Sequence, residues 1–133
     1  MLQKNSDLEK SSLMKHFPKH WQTSQNNNYR LEGLIIDRVI SNVFKAGMVI
    51  TVIDGEEFTD CRRSKDRAEI EAECFATDET IFRLHDAEDH SKYRGFVHFI
   101  HGNGGHVIHD YSANVRLDRI IDPVLDFAAT KGW

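Results

Sequence analysis

The chain has 133 residues, 40% of them hydrophobic and 29% charged, which suits one domain with a core and a solvated surface. No apolar run approaches the roughly 18–20 residues that span a bilayer, and two cysteines cannot staple a scaffold. The polar stretch Met1 to Lys10 lacks the apolar centre of a secretory leader, so neither a leader nor a membrane span is expected. The formal net charge is -4, and residues 54–89 alone carry -8, which repels phosphates and disfavours a broad nucleic-acid face there.

Met1 to Asn28 reads as a polar arm with one small apolar cluster, Phe17, Pro18 and Trp21. Phe17 and Trp21 lie four apart, the spacing that staples a short helix to the body or to a partner, with the chain's own body the favoured of the two. From Tyr29 onward, residues 29–133 read as a single domain. Ile36, Val39, Ile40, Val43 and Phe44 recur at helical spacing, with Asn28 as cap and Gly47 as the left-handed stop. Met48 to Ile53 is an almost wholly apolar, β-branched run and predicts a central strand covered on both faces.

Asp54-Gly55 is a turn signal, with a short return strand over Glu56 to Thr59. Ser64 is placed to cap a second helix through about Ala76, its inner face built from Ala68, Ala72 and Phe75 with Ile70 and Cys74. Thr80–Asp86, Gly95–His101 and His106–Tyr111 predict an antiparallel meander that reverses across Gly102-Asn103-Gly104-Gly105. Leu117, Ile120, Ile121, Val124, Leu125 and Ala128 draw a last helical stripe, which Pro123 should kink or restart from Asp122. The expected architecture is α+β, a mostly antiparallel sheet of about four strands with about three packed helices.

Histidine is the most unusual feature, with six of the eight between positions 85 and 109. His98, His101, His106 and His109 with Asp110 offer a metal-binding or metal-dependent hydrolytic reading, because imidazole is a common ligand and a proton carrier near neutral pH. Side-chain alternation opposes it, placing His98 and His101 on opposite faces of one strand. Arg62 and Arg63 beside Cys61 would lower the pKa of its thiol, whereas Cys74 reads as an apolar filler. The Gly102–Gly105 run precedes a strand, so it lacks the helix N-terminus that a phosphate loop requires.

Asp54-Gly55-Glu56-Glu57-Phe58, Arg63-Ser64-Lys65-Asp66 and Thr77-Asp78-Glu79 carry a resemblance, together with Gly102-Asn103-Gly104 followed by Val107-Ile108-His109-Asp110-Tyr111. From about Val49 to Tyr111 the chain resembles uncharacterised small proteins of phages, prophages and plasmids. Phe58 stands where tryptophan is common in them, and His106 where an acid is common. That family has no established activity, so the resemblance assigns no functional residue. It implies a mobile-element accessory protein in a bacterial cytoplasm.

The leading expectation is therefore a non-enzymatic accessory protein without cofactor that binds a host or defence protein. Glu69, Glu71 and Glu73, with Phe17 and Trp21, are the candidate contact residues. A nucleic-acid-binding module using the arm with Arg116, Arg119 and Lys131 is the third reading, after the metal site.

Overall fold

The computed structural model describes residues 11–24 and 26–132. A 3-10 turn over Ser12–His16 and a single-turn helix α1 (Lys19–Gln22) lead into α2 (Asn27–Lys45). Strands β1 (Met48–Asp54) and β2 (Glu57–Phe58), helix α3 (Arg67–Ala72), β3 (Glu79–Asp86), β4 (Tyr93–Ile100), β5 (Ile108–Tyr111) and α4 (Val115–Thr130) follow. The five strands form one antiparallel sheet in the order β2-β1-β3-β4-β5. The fold is α+β, with one strand and one short helix more than expected.

Alternation along β4 explains the layering. Gly95, Val97 and Phe99 are buried while Phe96, His98 and Ile100 are half-buried, so only one face of this part of the sheet lies in the core. Ile36, Val39, Ile40 and Val43 of α2 join Ile120, Ile121 and Val124 of α4 in the core with Phe82 and Phe99. The first five residues of β1 are buried on both faces, as the apolar run predicts.

Several local signals resolve differently from the sequence reading. Asn26, not Asn28, caps α2, accepting from the Asn28 amide at 2.9 Å. Ser64 does not cap α3, because its backbone pairs with Ile50 (N···O 2.9 and 2.8 Å) and holds the chain extended to that point. Asp66 takes the cap, and α3 buries Ile70 and Glu71, followed by Cys74, while Ala68 and Ala72 stay exposed. Pro123 neither breaks nor restarts α4, which is one helix capped by Asn114. In that proline turn the Ile120 carbonyl accepts from Asn42 Nδ2 at 3.0 Å, tying α4 to α2.

Ser11 to Trp21 is packed on the body. Leu13 is fully buried, and Phe17 and Trp21 nearly so. Trp21 stacks on Tyr29 at 4.2 Å, while Phe17 meets Phe75 edge-on at 5.0 Å and closes over Gly33. Both aromatic residues thus serve the chain's own core and are removed from any partner surface, which corrects the expectation that they contact a partner.

Gly95 is the tightest joint between sheet and helix. Its φ of 139° lies outside the range that other residues adopt readily, and a Cβ there would sit 2.8 Å from Leu117 Cδ2 and 2.9 Å from Ser112. We expect Gly95→Ala to cost about 2–4 kcal/mol, measured as a lower denaturant midpoint with little change in slope. A loss below about 0.5 kcal/mol would show that this contact does not constrain the fold.

Candidate functional site

Three places in the fold carry chemically capable side chains, the histidine hairpin first. His98 Nε2 lies 3.1 Å from Glu79 Oε1, and its ring meets His109 edge-on at 5.2 Å between centroids. Asp110 stands opposite His98 in register and accepts from the Tyr111 amide. His106 is exposed in the 3-10 turn Gly104–His106. His101 points the other way, into the protein. Among the described residues no group of three or more His, Cys, Asp or Glu is arranged to hold a metal ion. The expected set is divided between the two sides of the sheet, and the alternation that places His98 outward is the reason.

His101 belongs instead to a buried chain of hydrogen bonds. Its Nδ1 is 3.2 Å from Glu32 Oε2 and its Nε2 is 2.8 Å from Thr80 Oγ1. Glu32, itself without solvent exposure, also accepts from the amides of Gly102 (2.9 Å) and Gly104 (3.2 Å). The order hydroxyl, imidazole, carboxylate is that of a nucleophile triad, but Thr80 is fully buried and the Phe75 ring lies 4.4 Å from His101. No substrate reaches that hydroxyl, so the chain acts as a brace. Sequence reading passed over Glu32 because it sits in a helix where a lone acid ordinarily faces solvent.

We expect Glu32→Ala to cost about 3–5 kcal/mol, since two amides and an imidazole lose their acceptor. Glu32→Gln keeps an acceptor for the amides and should cost less than half as much. Equal losses in the two variants, read from denaturant titrations, would contradict the brace.

The acidic set fares differently from expectation. Glu69 is exposed and Glu73 half-buried, but Glu71 is 2% exposed and accepts from the Ser12 hydroxyl. Ser11 donates to Asp37 in the same way, and Arg67 reaches Asp37 at 3.2 Å and Glu71 at 3.8 Å. Glu71 is therefore withdrawn from the candidate contact surface, because it anchors the N-terminal segment. Burial first, and then the neighbouring Glu71, push the Asp37 carboxyl up to about 7, against the opposing effects of Ser11 and Arg67.

The folded chain thus binds a proton that the unfolded chain releases at the ordinary value of 3.8. A raised carboxyl pKa makes this contribution fully present below about pH 4 and lost as pH rises through about 7. We expect wild-type stability to fall by roughly 2–4 kcal/mol from this group between pH 4 and 8. In Asp37→Asn that slope should flatten, with stability at pH 8 no lower than wild type. An unchanged slope in paired urea titrations would exclude Asp37 as its source. The acids whose pKa values are lowered, Asp86 (about 2, through Arg94) and Asp89, act below this window.

Cys61 is also corrected. It is 1% exposed, and burial followed by Glu69 pushes its thiol up to about 12, so Arg62 and Arg63 do not activate it. Cys74 is buried and its pKa too is raised by burial, as suits a filler. Arg116 and Arg119 line a crevice of about 460 Å³ between α2 and α4 with Lys45, whereas Lys131 lies beyond the end of α4, near the Phe127 ring.

The third place is the sheet face turned away from α2 and α4. Register puts Phe58, Ile53, Ile81 and His98 in one row and Thr51, Arg83 and Phe96 in the next, with Val49, His85 and Tyr93 beyond. Arg62 lies over the Phe58 ring at 5.1 Å and Arg83 over the Tyr93 ring at 4.7 Å. Arg63 adopts φ 49°, and its amide donates to Thr51 Oγ1 at 2.9 Å. Thr51, Phe58, Arg62, Arg63, Arg83 and His85 line a groove of about 330 Å³.

Among the described residues, none of these three guanidinium groups pairs with a carboxylate, whereas Arg94 is held by Asp86 at 2.9 Å. His85 is 9% exposed and its buried Nδ1 has no hydrogen-bond partner. Burial, then Arg63, Arg83 and His90, hold its pKa below the ordinary imidazole value. The alternation of Arg83 and His85 on one strand was the available sequence signal. Their convergence with Arg62 and Arg63 required the β1–β3 register.

An α+β domain with one sheet face only partly covered is the class that this geometry defines. Compared with protein-family models, curated proteins and solved structures, the chain matches none. No helix among the described residues is long and apolar enough to cross a membrane.

Proposed function

We propose that this chain is a non-enzymatic accessory protein of a phage or plasmid that binds and blocks a host or defence protein, with the partly open sheet face around Phe58 and Tyr93 as its contact surface. The observation that carries this reading is the pairing of aromatic and arginine side chains on that face. Phe58 and Tyr93 are 53% and 46% exposed, each with a guanidinium held on or near its ring. Aromatic and arginine residues are the types that protein interfaces concentrate at their energetic centres. A side chain already held in place also loses less rotamer freedom on binding.

Charge sets the partner's chemistry. Arg62, Arg63 and Arg83 lack carboxylate partners among the described residues, so a segment rich in Asp or Glu is complementary to them. A nucleic-acid strand is less favoured, because Glu79 beside His98 and Asp110 opposite it interrupt the positive surface. The phage or plasmid setting, and with it a bacterial cytoplasm, draws support from the motifs between Val49 and Tyr111.

Selection of random displayed peptides on the full chain tests the contact surface. We expect the recovered peptides to be enriched in acidic residues and to lose at least tenfold in affinity against Phe58→Ser or Arg83→Glu. Glu69→Lys should leave them unaffected. Peptides without acidic bias, or ones indifferent to Arg83→Glu, would overturn the assignment of this face.

A further inference from the structure

We propose that the groove between Arg62, Arg63 and Arg83 is an oxyanion site for a phosphate monoester, carried on a side chain of the partner protein. This deepens the sheet-face reading and rests on it. A carboxylate carries one charge and is satisfied by one guanidinium in a two-pronged contact. A phosphate monoester carries close to two charges at neutral pH and offers three strong acceptor oxygens. Three arginines lining one opening, unneutralised by carboxylates among the described residues, match the second ligand and exceed what a single carboxylate requires.

Two independent features mark the groove as built. Arg63 holds a left-handed backbone conformation that costs an ordinary residue free energy, and its amide is fixed there by Thr51 Oγ1. Nothing in the turn requires arginine, since glycine adopts φ 49° without strain. The second feature is His85, 91% buried at the groove's edge, with Nδ1 lacking a hydrogen-bond partner. A buried, unpartnered ring nitrogen is a cost that most folds avoid. Phe58 supplies an apolar wall beside the charges, suited to the body that carries the phosphate.

The groove is also short. The acidic end of the sheet, at Asp54, Glu57 and Glu79, lies beyond Phe58 and Ile53 and would repel a second phosphate in line. One phosphate fits the groove, and a row of phosphates does not.

Calorimetric titration of the full chain with phenyl phosphate, benzoate, inorganic phosphate and adenosine monophosphate tests the assignment at physiological ionic strength. We expect saturable binding of phenyl phosphate, at least tenfold tighter than benzoate or inorganic phosphate. Arg83→Gln should weaken it at least tenfold. Arg63→Gly should weaken it as much while melting no lower than wild type, which separates loss of the ligand contact from loss of the fold. Benzoate binding equal to phenyl phosphate, or binding unchanged in Arg83→Gln, would overturn the proposal. Inorganic phosphate binding as tightly as phenyl phosphate would reduce the site to one for the free ion, against the monoester. Adenosine monophosphate binding more than tenfold tighter than phenyl phosphate would assign the phosphate to a nucleotide, against a protein side chain. If the selected acidic peptides bind but phenyl phosphate does not, only the phosphate assignment falls. If both fail, the sheet-face reading falls with it.

Discussion

Glu32 is the interaction on which the arrangement turns. Its carboxylate lies wholly inside the protein and is engaged by the two amides of the β4–β5 turn and by His101, which in turn meets Thr80 of β3. One side chain of α2 therefore fixes that helix against the turn between β4 and β5 and, through His101, against β3. A buried carboxyl group is tolerable only when such partners surround it. Once α2 is fixed, its Asn42 holds α4 through Ile120, and its Asp37 holds the N-terminal segment through Ser11.

Folding also redistributes the charge that the sequence displays as a block. Residues 54–89 are strongly acidic when counted along the chain, yet they do not form one negative face. Glu71 goes inward to Ser12 and Arg67, Asp86 is matched by Arg94, and Asp54 accepts from Thr77. Arg62, Arg63 and Arg83 belong to this same stretch and are left on the open sheet face without carboxylate partners among the described residues. The most acidic part of the sequence thus yields a basic groove, because summing charge along a chain takes no account of which groups neutralise one another in space.

The N-terminal segment shows the same effect for hydrophobicity. Ser11 to Ser24 has too few apolar residues to fold alone, and its order derives from the body it joins. Phe17 and Trp21 reach a cluster completed by Tyr29, Phe75 and, against Phe75, His101, residues drawn from elements far apart in sequence. The spacing of four indicated a helical staple. It held no information on the choice between an internal and an external partner.

Periodicity and turn chemistry, which act over a few residues, were enough to determine the α+β class, the core stripe of α2, the buried run of β1, the meander from β3 to β5 and the apolar stripe of α4. They fell short where a long-range bond competed. Ser64 was drawn into pairing with Ile50, so the cap passed to Asp66. The candidate site lay almost wholly beyond local reading. Which histidines diverge, which glutamate is buried, and which arginines converge are decided by strand register and by the side of the sheet that the helices cover. Those are relations between residues tens of positions apart, and only the assembled structure sets them.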